Sequence, residues 1–221
     1  MSAILEELVT TSRQLVANGL VRGAGGNVSA REEDLMWISP SGFSFLDAGP
    51  EDYPAVSLSA GEIVRGTRRP SSEVLMHLAI YRKRPQVNAV IHTHPPYTLA
   101  LTSAGHDLRP LFADYYVYLG RHVPHLDYVT VTTPELAAAV ERAVTASPCA
   151  GIVLRNHGAI TLGQSIKEAY FRTLAMEEQA LIQHAALQVG EPTFLSDEEL
   201  DRLDLLGSEA YRRELLARMK G

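Results

Sequence analysis

The 221-residue sequence contains only one cysteine, Cys149. A single thiol excludes an internal disulfide, and it cannot form a cysteine zinc site on its own. The sequence also lacks any apolar run of 18 residues, which excludes a transmembrane helix. Its first ten residues include Glu6 and Glu7 but no basic cluster ahead of an apolar core, so we expect no secretory signal.

A surplus of positive charge is absent as well. Lysine and arginine number 20 against 26 aspartate and glutamate residues, which gives a formal net charge of −6. Non-specific binding of nucleic acid therefore has no basic surplus to drive it. Hydrophobic residues make up 46% of the chain and charged residues 21%, the balance of a globular protein. We expect a cytoplasmic protein with no nucleic-acid or membrane partner.

No glycine- or serine-rich linker, repeat or low-complexity tract divides the sequence, so we predict a single domain over 1–221. A C-terminal helical segment is predicted at about 196–221, where Ser196 begins a capping box. Hydrophobic spacing and capping residues predict four further helices: one ends at residue 18, one spans 71–84, one starts at 133, and one runs from 165 to about 190. Strands are predicted at 35–39, 87–94 and 150–154. This pattern indicates an α/β or α+β fold without fixing its topology.

The most informative stretch is the pair His92 and His94. Residues two apart in a strand point to the same side, so both imidazoles can aim at one point and bind a divalent metal, zinc being the usual choice. The alternative is two polar residues of a loop. His157 is a third candidate because it follows an apolar run and precedes Gly158, although a structural histidine is the alternative there. Three histidines leave one coordination position open, as in catalytic zinc sites.

A carboxylate suited to proton transfer is offered by Glu73, at the predicted start of a helix. The helix dipole alone favours an acidic residue at that position, which is the alternative interpretation. The serines at 71 and 72 add hydroxyl and N–H groups to the same helix N-terminus, where anions bind. The glycine-rich turn at 23–29 and the turn at 41–42 supply more N–H donors, which together favour a phosphate site. His77 lies one helical turn after Glu73 and either orients it or only packs.

Five short motifs follow one another along the chain. They read Gly-Gly-Asn-x-Ser at 25–29, Ser-Pro-Ser-Gly at 39–42, Ser-Ser-Glu at 71–73, His-x-His at 92–94 and Asn-His-Gly at 156–158. Together they resemble the class II aldolase and adducin family, and within it the L-fuculose-1-phosphate aldolases. The resemblance runs from about residue 5 to residue 190, and the joint occurrence of the motifs is far more specific than any one of them.

The resemblance implies a three-layer α/β/α domain around a mostly antiparallel sheet. His92, His94 and His157 match the family's three zinc ligands, although manganese, cobalt or iron can occupy such a site. Glu73 matches the carboxylate that serves as the catalytic acid and base. The family's pocket for the substrate phosphate maps onto Asn27, Ser41, Gly42, Ser71 and Ser72.

The resemblance also implies a homotetramer with active sites between subunits, each completed by a tyrosine of the neighbouring subunit. Tyr116 is our assignment for this tyrosine because it stands four residues before Gly120, and Tyr115 is the alternative. The implied function is that of a zinc-dependent aldolase. It would reversibly cleave a ketose 1-phosphate similar to L-fuculose 1-phosphate into dihydroxyacetone phosphate and an aldehyde.

Two departures from the aldolase pattern keep other functions open. Asp114, a further candidate catalytic residue, resembles an aspartate of the ribulose-5-phosphate 4-epimerases. The paired tyrosines followed by a glycine resemble the sugar-acid-phosphate decarboxylases. Residue 73 is glutamate where the epimerases carry aspartate, and the serines at 71 and 72 look like the aldolase phosphate pocket. A non-enzymatic, adducin-like interaction module is a third alternative, against which the intact histidine and glutamate set argues.

Overall fold

The computed structural model describes residues 2–218. The helices are α1 (Ala3–Ala17), α2 (Val74–Lys83), α3 (Pro96–Ser103), α4 (Ala113–Leu119), α5 (Pro134–Ala146), α6 (Ile166–Val189), α7 (Asp197–Asp204) and α8 (Gly207–Arg218), with a short 3-10 helix at Pro50–Asp52. The strands are β1 (Asn27–Glu32), β2 (Leu35–Ile38), β3 (Ala55–Ser57), β4 (Ile63–Arg65), β5 (Ala89–Thr93), β6 (His125–Leu126), β7 (Gly151–Leu154) and β8 (Gly158–Gly163).

The eight strands form one sheet in the order β4-β3-β2-β1-β5-β8-β7-β6. Neighbouring strands are antiparallel except for β6 and β7, which are parallel. At the centre of the sheet, Asn27 of β1 lies opposite His92 of β5, and Thr93 of β5 lies opposite Ala159 of β8. Because antiparallel neighbours run in opposite directions, the start of β1, the end of β5 and the start of β8 meet at one edge of the sheet.

Helices cover both faces of this sheet. Met36 and Ile38 of β2 pack in a buried cluster with residues of α2 and α5. Trp37, between them in sequence, packs on the opposite side with residues of α1 and α6. Such alternation is expected of a strand that is buried on both faces. A further cluster fills the space between the sheet and α3, α4 and α6. The predicted three-layer α/β/α architecture around a mostly antiparallel sheet is confirmed.

The helix predicted over 71–84 begins later, at Val74. Residues 71–73 form a turn instead, in which the Val74 amide donates to the Ser71 carbonyl and the Glu73 amide to the Ser71 hydroxyl. Glu73 occupies the N-cap position, but its side chain makes no capping hydrogen bond. The Glu73 carboxylate therefore does not cap α2, although the helix dipole still favours an acidic residue at this position.

Other boundaries differ by a few residues, and five elements were not predicted, namely β1, β6, β8, α3 and α4. Asn27 begins β1, so the glycine-rich turn predicted over 23–29 ends three residues earlier, at Gly26. Strand β8 and helices α3 and α4 carry no strong local signal in the sequence. The C-terminal segment is helical, and its predicted capping box joins Ser196 to Glu199. Residues 219–221 of that predicted segment lie outside the described residues.

Between residues 2 and 218, no helix combines the length and the apolar composition needed to cross a membrane.

Candidate metal centre

Three predicted ligands converge at the edge where β1, β5 and β8 meet. His92 lies inside β5, His94 directly follows the end of that strand, and His157 directly precedes β8. The His92 Nε2 and His94 Nε2 atoms are 3.2 Å apart. One ring nitrogen from each of the three histidines can be chosen so that all lie within 4.8 Å of one another. In a tetrahedral site with zinc–nitrogen distances of 2.0–2.1 Å, ligand nitrogens lie about 3.3 Å apart, so this spacing suits a metal.

The tautomer of His92 follows from its second ring nitrogen. Its Nδ1 atom lies 3.0 Å from the backbone oxygen of Ala159. A carbonyl oxygen only accepts hydrogen bonds, so Nδ1 carries the proton and the Nε2 of the neutral ring presents a lone pair. A backbone carbonyl in this position is the usual means by which a protein orients a metal-binding histidine.

Glu73 closes the cluster from the side of α2. Its Oε2 atom is 3.2 Å from His92 Nε2, and its Oε1 atom is 3.1 Å from His157 Nε2. Burial raises the pKa of Glu73, but hydrogen bonds that His157 and His92 donate only when their facing nitrogens carry protons, together with the one from Asn27, outweigh burial and hold the pKa well below its usual range. In the metal-binding form those nitrogens present lone pairs instead. Lone pairs of imidazole facing one another and a carboxylate repel unless a positive charge lies among them. The donor set therefore fits a divalent cation.

His94 shares this electrostatic environment. Burial, together with the neighbouring His92 and His157, lowers the pKa of His94 to about 4. A neutral imidazole is the form that binds a metal, so this shift keeps His94 ready as a ligand near neutral pH.

Glycines allow the backbone to approach the histidine rings closely. A Cβ atom on Gly158 would lie 2.4 Å from the Thr93 oxygen and 2.9 Å from ring atoms of both His92 and His94. Gly26 has a φ of +69°, and a Cβ there would lie 2.9 Å from the His92 oxygen. The Asn-His-Gly and Gly-Gly-Asn motifs therefore supply the small residues on which the close packing of the histidines depends.

A cavity of about 240 Å³ adjoins this cluster. Two of the histidines, His94 and His157, line it together with Glu73. All five residues predicted for the phosphate pocket line it as well, namely Asn27, Ser41, Gly42, Ser71 and Ser72. The structure thus brings all five sequence motifs around one space.

Hydrogen bonds within the cavity wall decide which phosphate donors are free. The Ser41 amide donates to the Arg69 oxygen at 2.9 Å, and the Ser71 amide donates to the Ser39 oxygen at 3.0 Å. These two bonds tie the 39–42 loop to the 69–71 loop. Ser41 and Ser71 therefore offer their hydroxyl groups to a ligand, because their N–H groups are already engaged.

Two residues of the cavity wall were not predicted, Val131 and Thr132. They precede α5 in a threonine-rich stretch that contains no recognisable motif. Thr132 has a φ of +66°, which is rare for a β-branched residue. A backbone outlier of this kind is common at functional sites. The sequence marks Val131 and Thr132 only by their place directly before Thr133, the residue that caps the N-terminus of α5.

The predicted tyrosines and Asp114 lie on α4, and none of them lines the cavity of its own chain. The Tyr116 hydroxyl donates to the Asp204 carboxylate of α7. Asp114 forms an ion pair with Arg212 of α8, with a nitrogen–oxygen distance of 2.8 Å. Tyr115 is buried in the core, with 1% of its surface exposed. A single chain therefore does not bring these three residues to the histidine cluster.

The chain is similar to known proteins in both sequence and fold. Residues 6–184 match the family model described as the Class II Aldolase and Adducin N-terminal domain. The chain is 37% identical over 201 residues to a 5-deoxy-D-ribulose 1-phosphate aldolase of Bacillus thuringiensis, a match that covers 90% of this chain and 92% of the relative. It is 35% identical to an L-fuculose phosphate aldolase of Methanococcus vannielii, over 83% of this chain and 97% of the relative. Among solved structures, an L-fuculose 1-phosphate aldolase matches with a TM-score of 0.86 at 31% identity, over 96% of this chain and 97% of that chain.

Proposed function

Because the chain belongs to the class II aldolase and adducin family, we propose that it reversibly cleaves a ketose 1-phosphate into dihydroxyacetone phosphate and an aldehyde. The observation that carries this proposal is the convergence of His92, His94, His157 and Glu73 beside a cavity lined by serine hydroxyls. A metal, a carboxylate and a phosphate site within one small cavity are the three elements that metal-assisted cleavage of a phosphorylated ketose requires.

The metal is assigned to the three histidines, with Glu73 beside them. Three imidazole nitrogens and one open position favour zinc, while manganese, cobalt or iron are alternatives for the same donors. When bound, the metal supplies a Lewis acid for negative charge that develops on the substrate's carbonyl oxygen.

The substrate phosphate is assigned to the other end of the cavity. The hydroxyls of Ser41, Ser71 and Ser72 and the backbone N–H of Gly42 are the proposed donors. Asn27 already donates one side-chain N–H to Glu73 Oε2 at 2.8 Å, which leaves its second N–H for the substrate. Hydroxyl and amide donors of this kind bind phosphate without any basic side chain.

Glu73 is the proposed acid and base. In the condensation direction its ionised carboxylate accepts a proton from carbon 3 of dihydroxyacetone phosphate, and that carbon then forms the bond to the aldehyde carbon. In the cleavage direction the C3–C4 bond breaks, the electron pair stays on carbon 3, and Glu73 returns the proton to that carbon. A base must start the condensation direction ionised, and the hydrogen bond from Asn27 together with the adjacent metal would favour the ionised form of Glu73.

Tyr116, with Tyr115 as the alternative, is proposed to exchange the proton of the aldehyde oxygen from a neighbouring subunit of a homotetramer. Neither tyrosine lines the cavity of its own chain, so this assignment requires that a neighbouring subunit supply the tyrosine. Asp114 is proposed to act from the same neighbouring helix. A single domain over 1–221 and a cytoplasmic location complete the proposal.

The relatives named above narrow the range of ketoses that we propose as substrates. L-fuculose 1-phosphate and 5-deoxy-D-ribulose 1-phosphate share the carbons that become dihydroxyacetone phosphate and differ in the aldehyde half. The residues assigned to phosphate and metal contact only the dihydroxyacetone phosphate half, so they suit either ketose. We therefore propose that this chain acts on one or both of them.

The test is release of dihydroxyacetone phosphate from each ketose by the metal-loaded protein, followed by coupled reduction with NADH. We expect release from at least one of them, loss of this activity in His157→Ala, and retention of activity in His125→Ala. His125 lies on β6 and does not line the cavity, so it is a matched control. Failure to cleave either ketose, with turnover of a pentulose 5-phosphate or a phosphorylated sugar acid instead, would overturn the proposal.

A further inference from the structure

A row of buried polar side chains runs from Glu73 into the core of the protein. Asn27 Nδ2 lies 2.8 Å from Glu73 Oε2, and Asn27 Oδ1 lies 2.5 Å from His77 Nε2. His77 Nδ1 lies 2.7 Å from the Ser29 hydroxyl, which lies 2.9 Å from the Tyr81 hydroxyl. All five side chains are buried, and His77 and Ser29 are completely inaccessible. The proposed function uses only the first two of them.

The direction of every hydrogen bond in this row follows from its end at Glu73. A carboxylate only accepts, so Asn27 presents its NH₂ group to Glu73 and its oxygen to His77. His77 must then donate from Nε2, and its neutral ring accepts at Nδ1 from the Ser29 hydroxyl. The Ser29 oxygen is left to accept from Tyr81. All donors therefore point toward Glu73, an arrangement in which each bond polarises and strengthens the next.

We propose that His77 is a positioning residue that acts through Asn27 to hold the Glu73 carboxylate in one orientation for proton transfer. This inference rests on the proposed function, since it assigns His77 a part in the reaction. His77 follows Glu73 by one helical turn, yet its side chain hydrogen-bonds with Asn27 and Ser29 of the neighbouring strand, β1. His77 thus links α2 to β1 through the residue that contacts the Glu73 carboxylate, Asn27.

The physical reason is the symmetry of an asparagine amide, whose oxygen and nitrogen ends have nearly the same shape. If the amide of Asn27 turned over, its oxygen would face the Glu73 carboxylate and its NH₂ group would face the N–H of His77. Both contacts would then be repulsive. The Nε2–H of His77 therefore fixes the amide, and the amide fixes the carboxylate. Without His77, only the contact with Glu73 would hold the amide.

The first measurement is the tautomer of His77 in the wild-type protein, read from long-range ¹H–¹⁵N correlation spectra. We expect a neutral ring with the proton on Nε2, assigned by the loss of its signals in His77→Gln. A proton on Nδ1 would overturn the inference whatever the activity. This result is independent of turnover, so it separates failure of the inference from failure of the proposed function.

The second measurement compares variants in aldol cleavage. His77→Leu removes the donor, and we expect kcat to fall about 10- to 100-fold, as for a misplaced catalytic group, while KM and bound metal stay near the wild-type values. His77→Gln places an amide donor within reach of Asn27 and should restore most of kcat, which a purely packing role would not predict. His125→Gln is the matched control and should resemble wild type.

Equal kcat in His77→Leu and wild type would also overturn the inference, as would a rise in KM with unchanged kcat. If His77→Leu does not fold, Tyr81→Phe tests the far end of the row, where loss of one donor hydroxyl should lower kcat less than His77→Leu would. A Tyr81→Phe protein with full kcat and an unchanged His77 tautomer would show that the Tyr81 hydroxyl is not needed and that the row acts on Glu73 from His77 alone. Such a protein with the opposite tautomer and full kcat would contradict the inference.

Discussion

Substitution of Gly158 by alanine should damage the metal centre without replacing any ligand. The new Cβ would lie 2.4 Å from the Thr93 oxygen and 2.9 Å from ring atoms of His92 and His94, whereas ordinary carbon contacts begin at 3.4 Å. Thr93 lies in β5, which is paired on both sides by β1 and β8 and cannot yield easily. The two rings must therefore move by about 0.5 Å, more than the tolerance of about 0.2 Å in metal–ligand distances.

We expect metal affinity to fall about 10- to 100-fold, the range found when groups that orient metal ligands are disturbed. The free energy of unfolding should also fall by about 1–3 kcal/mol because the site becomes overpacked. Competition with a chromophoric chelator measures the affinity, and urea denaturation measures the stability.

Gly190→Ala is the matched control for this prediction. Gly190 ends α6 in an extended conformation that any residue adopts, and a Cβ there meets nothing within 4 Å. Its metal affinity should equal that of wild type. A Gly158→Ala protein with wild-type metal affinity would show that His92 and His94 do not bind the metal in the arrangement described.

Three further predictions concern single residues of the site. His94→Ala removes one of three ligands, so metal content after dialysis and aldolase activity should fall together; a metal-loaded, fully active variant would refute the ligand assignment. Glu73→Gln should keep its metal but lose about 10²–10⁴-fold in turnover, the usual contribution of an acid or base, and near-normal turnover would remove Glu73 from the mechanism. Burial lowers the pKa of His77 from 6.5 to about 3. Between these two pH values the unfolded chain therefore binds more protons than the folded protein. The free energy of unfolding falls as the pH drops through this window. Urea denaturation from pH 7 to pH 4 should show a slope that is steeper by up to about 1.4 kcal/mol per pH unit in wild type than in His77→Gln, and equal slopes would contradict a neutral, buried His77.

The metal site could be predicted to the extent that its geometry is local. His92 and His94 share one side of a single strand, so their convergence follows from the period of a β-strand. His157 joins them only because β8 pairs with β5, a contact between segments more than 60 residues apart in sequence. The resemblance to a known family, not strand periodicity, connected it to the other two histidines.

The interior behind Glu73 could not be predicted from local pattern. His77 had two interpretations at the sequence level, orienting Glu73 or packing, and neither identified Asn27 as the residue between them. That link depends on the register of β1 against β5, which places Asn27 opposite His92. Asn27 was expected to serve the phosphate, and the structure in addition engages one of its N–H groups with Glu73.

The remaining gaps have separate physical causes. Val131 and Thr132 reach the cavity through loop geometry, and Thr132 adopts a conformation that its residue type disfavours. The roles proposed for Tyr116 and Asp114 would require a second subunit, because neither residue lines the cavity of its own chain. The start of α2 was placed three residues early because the turn at 71–73 uses the same serine and acidic residues as a helix start.

The central claim is that Glu73, beside metal-bound histidines, exchanges a proton with carbon 3 of dihydroxyacetone phosphate. The most direct measurement is NMR of dihydroxyacetone phosphate in D₂O with the metal-loaded protein, with and without the aldehyde product. The account predicts stereospecific loss of one hydroxymethylene proton signal, and no such loss with Glu73→Gln carrying the same metal content. Exchange that continues unchanged in Glu73→Gln, or a metal-loaded wild-type protein that exchanges neither proton under either condition, would contradict it.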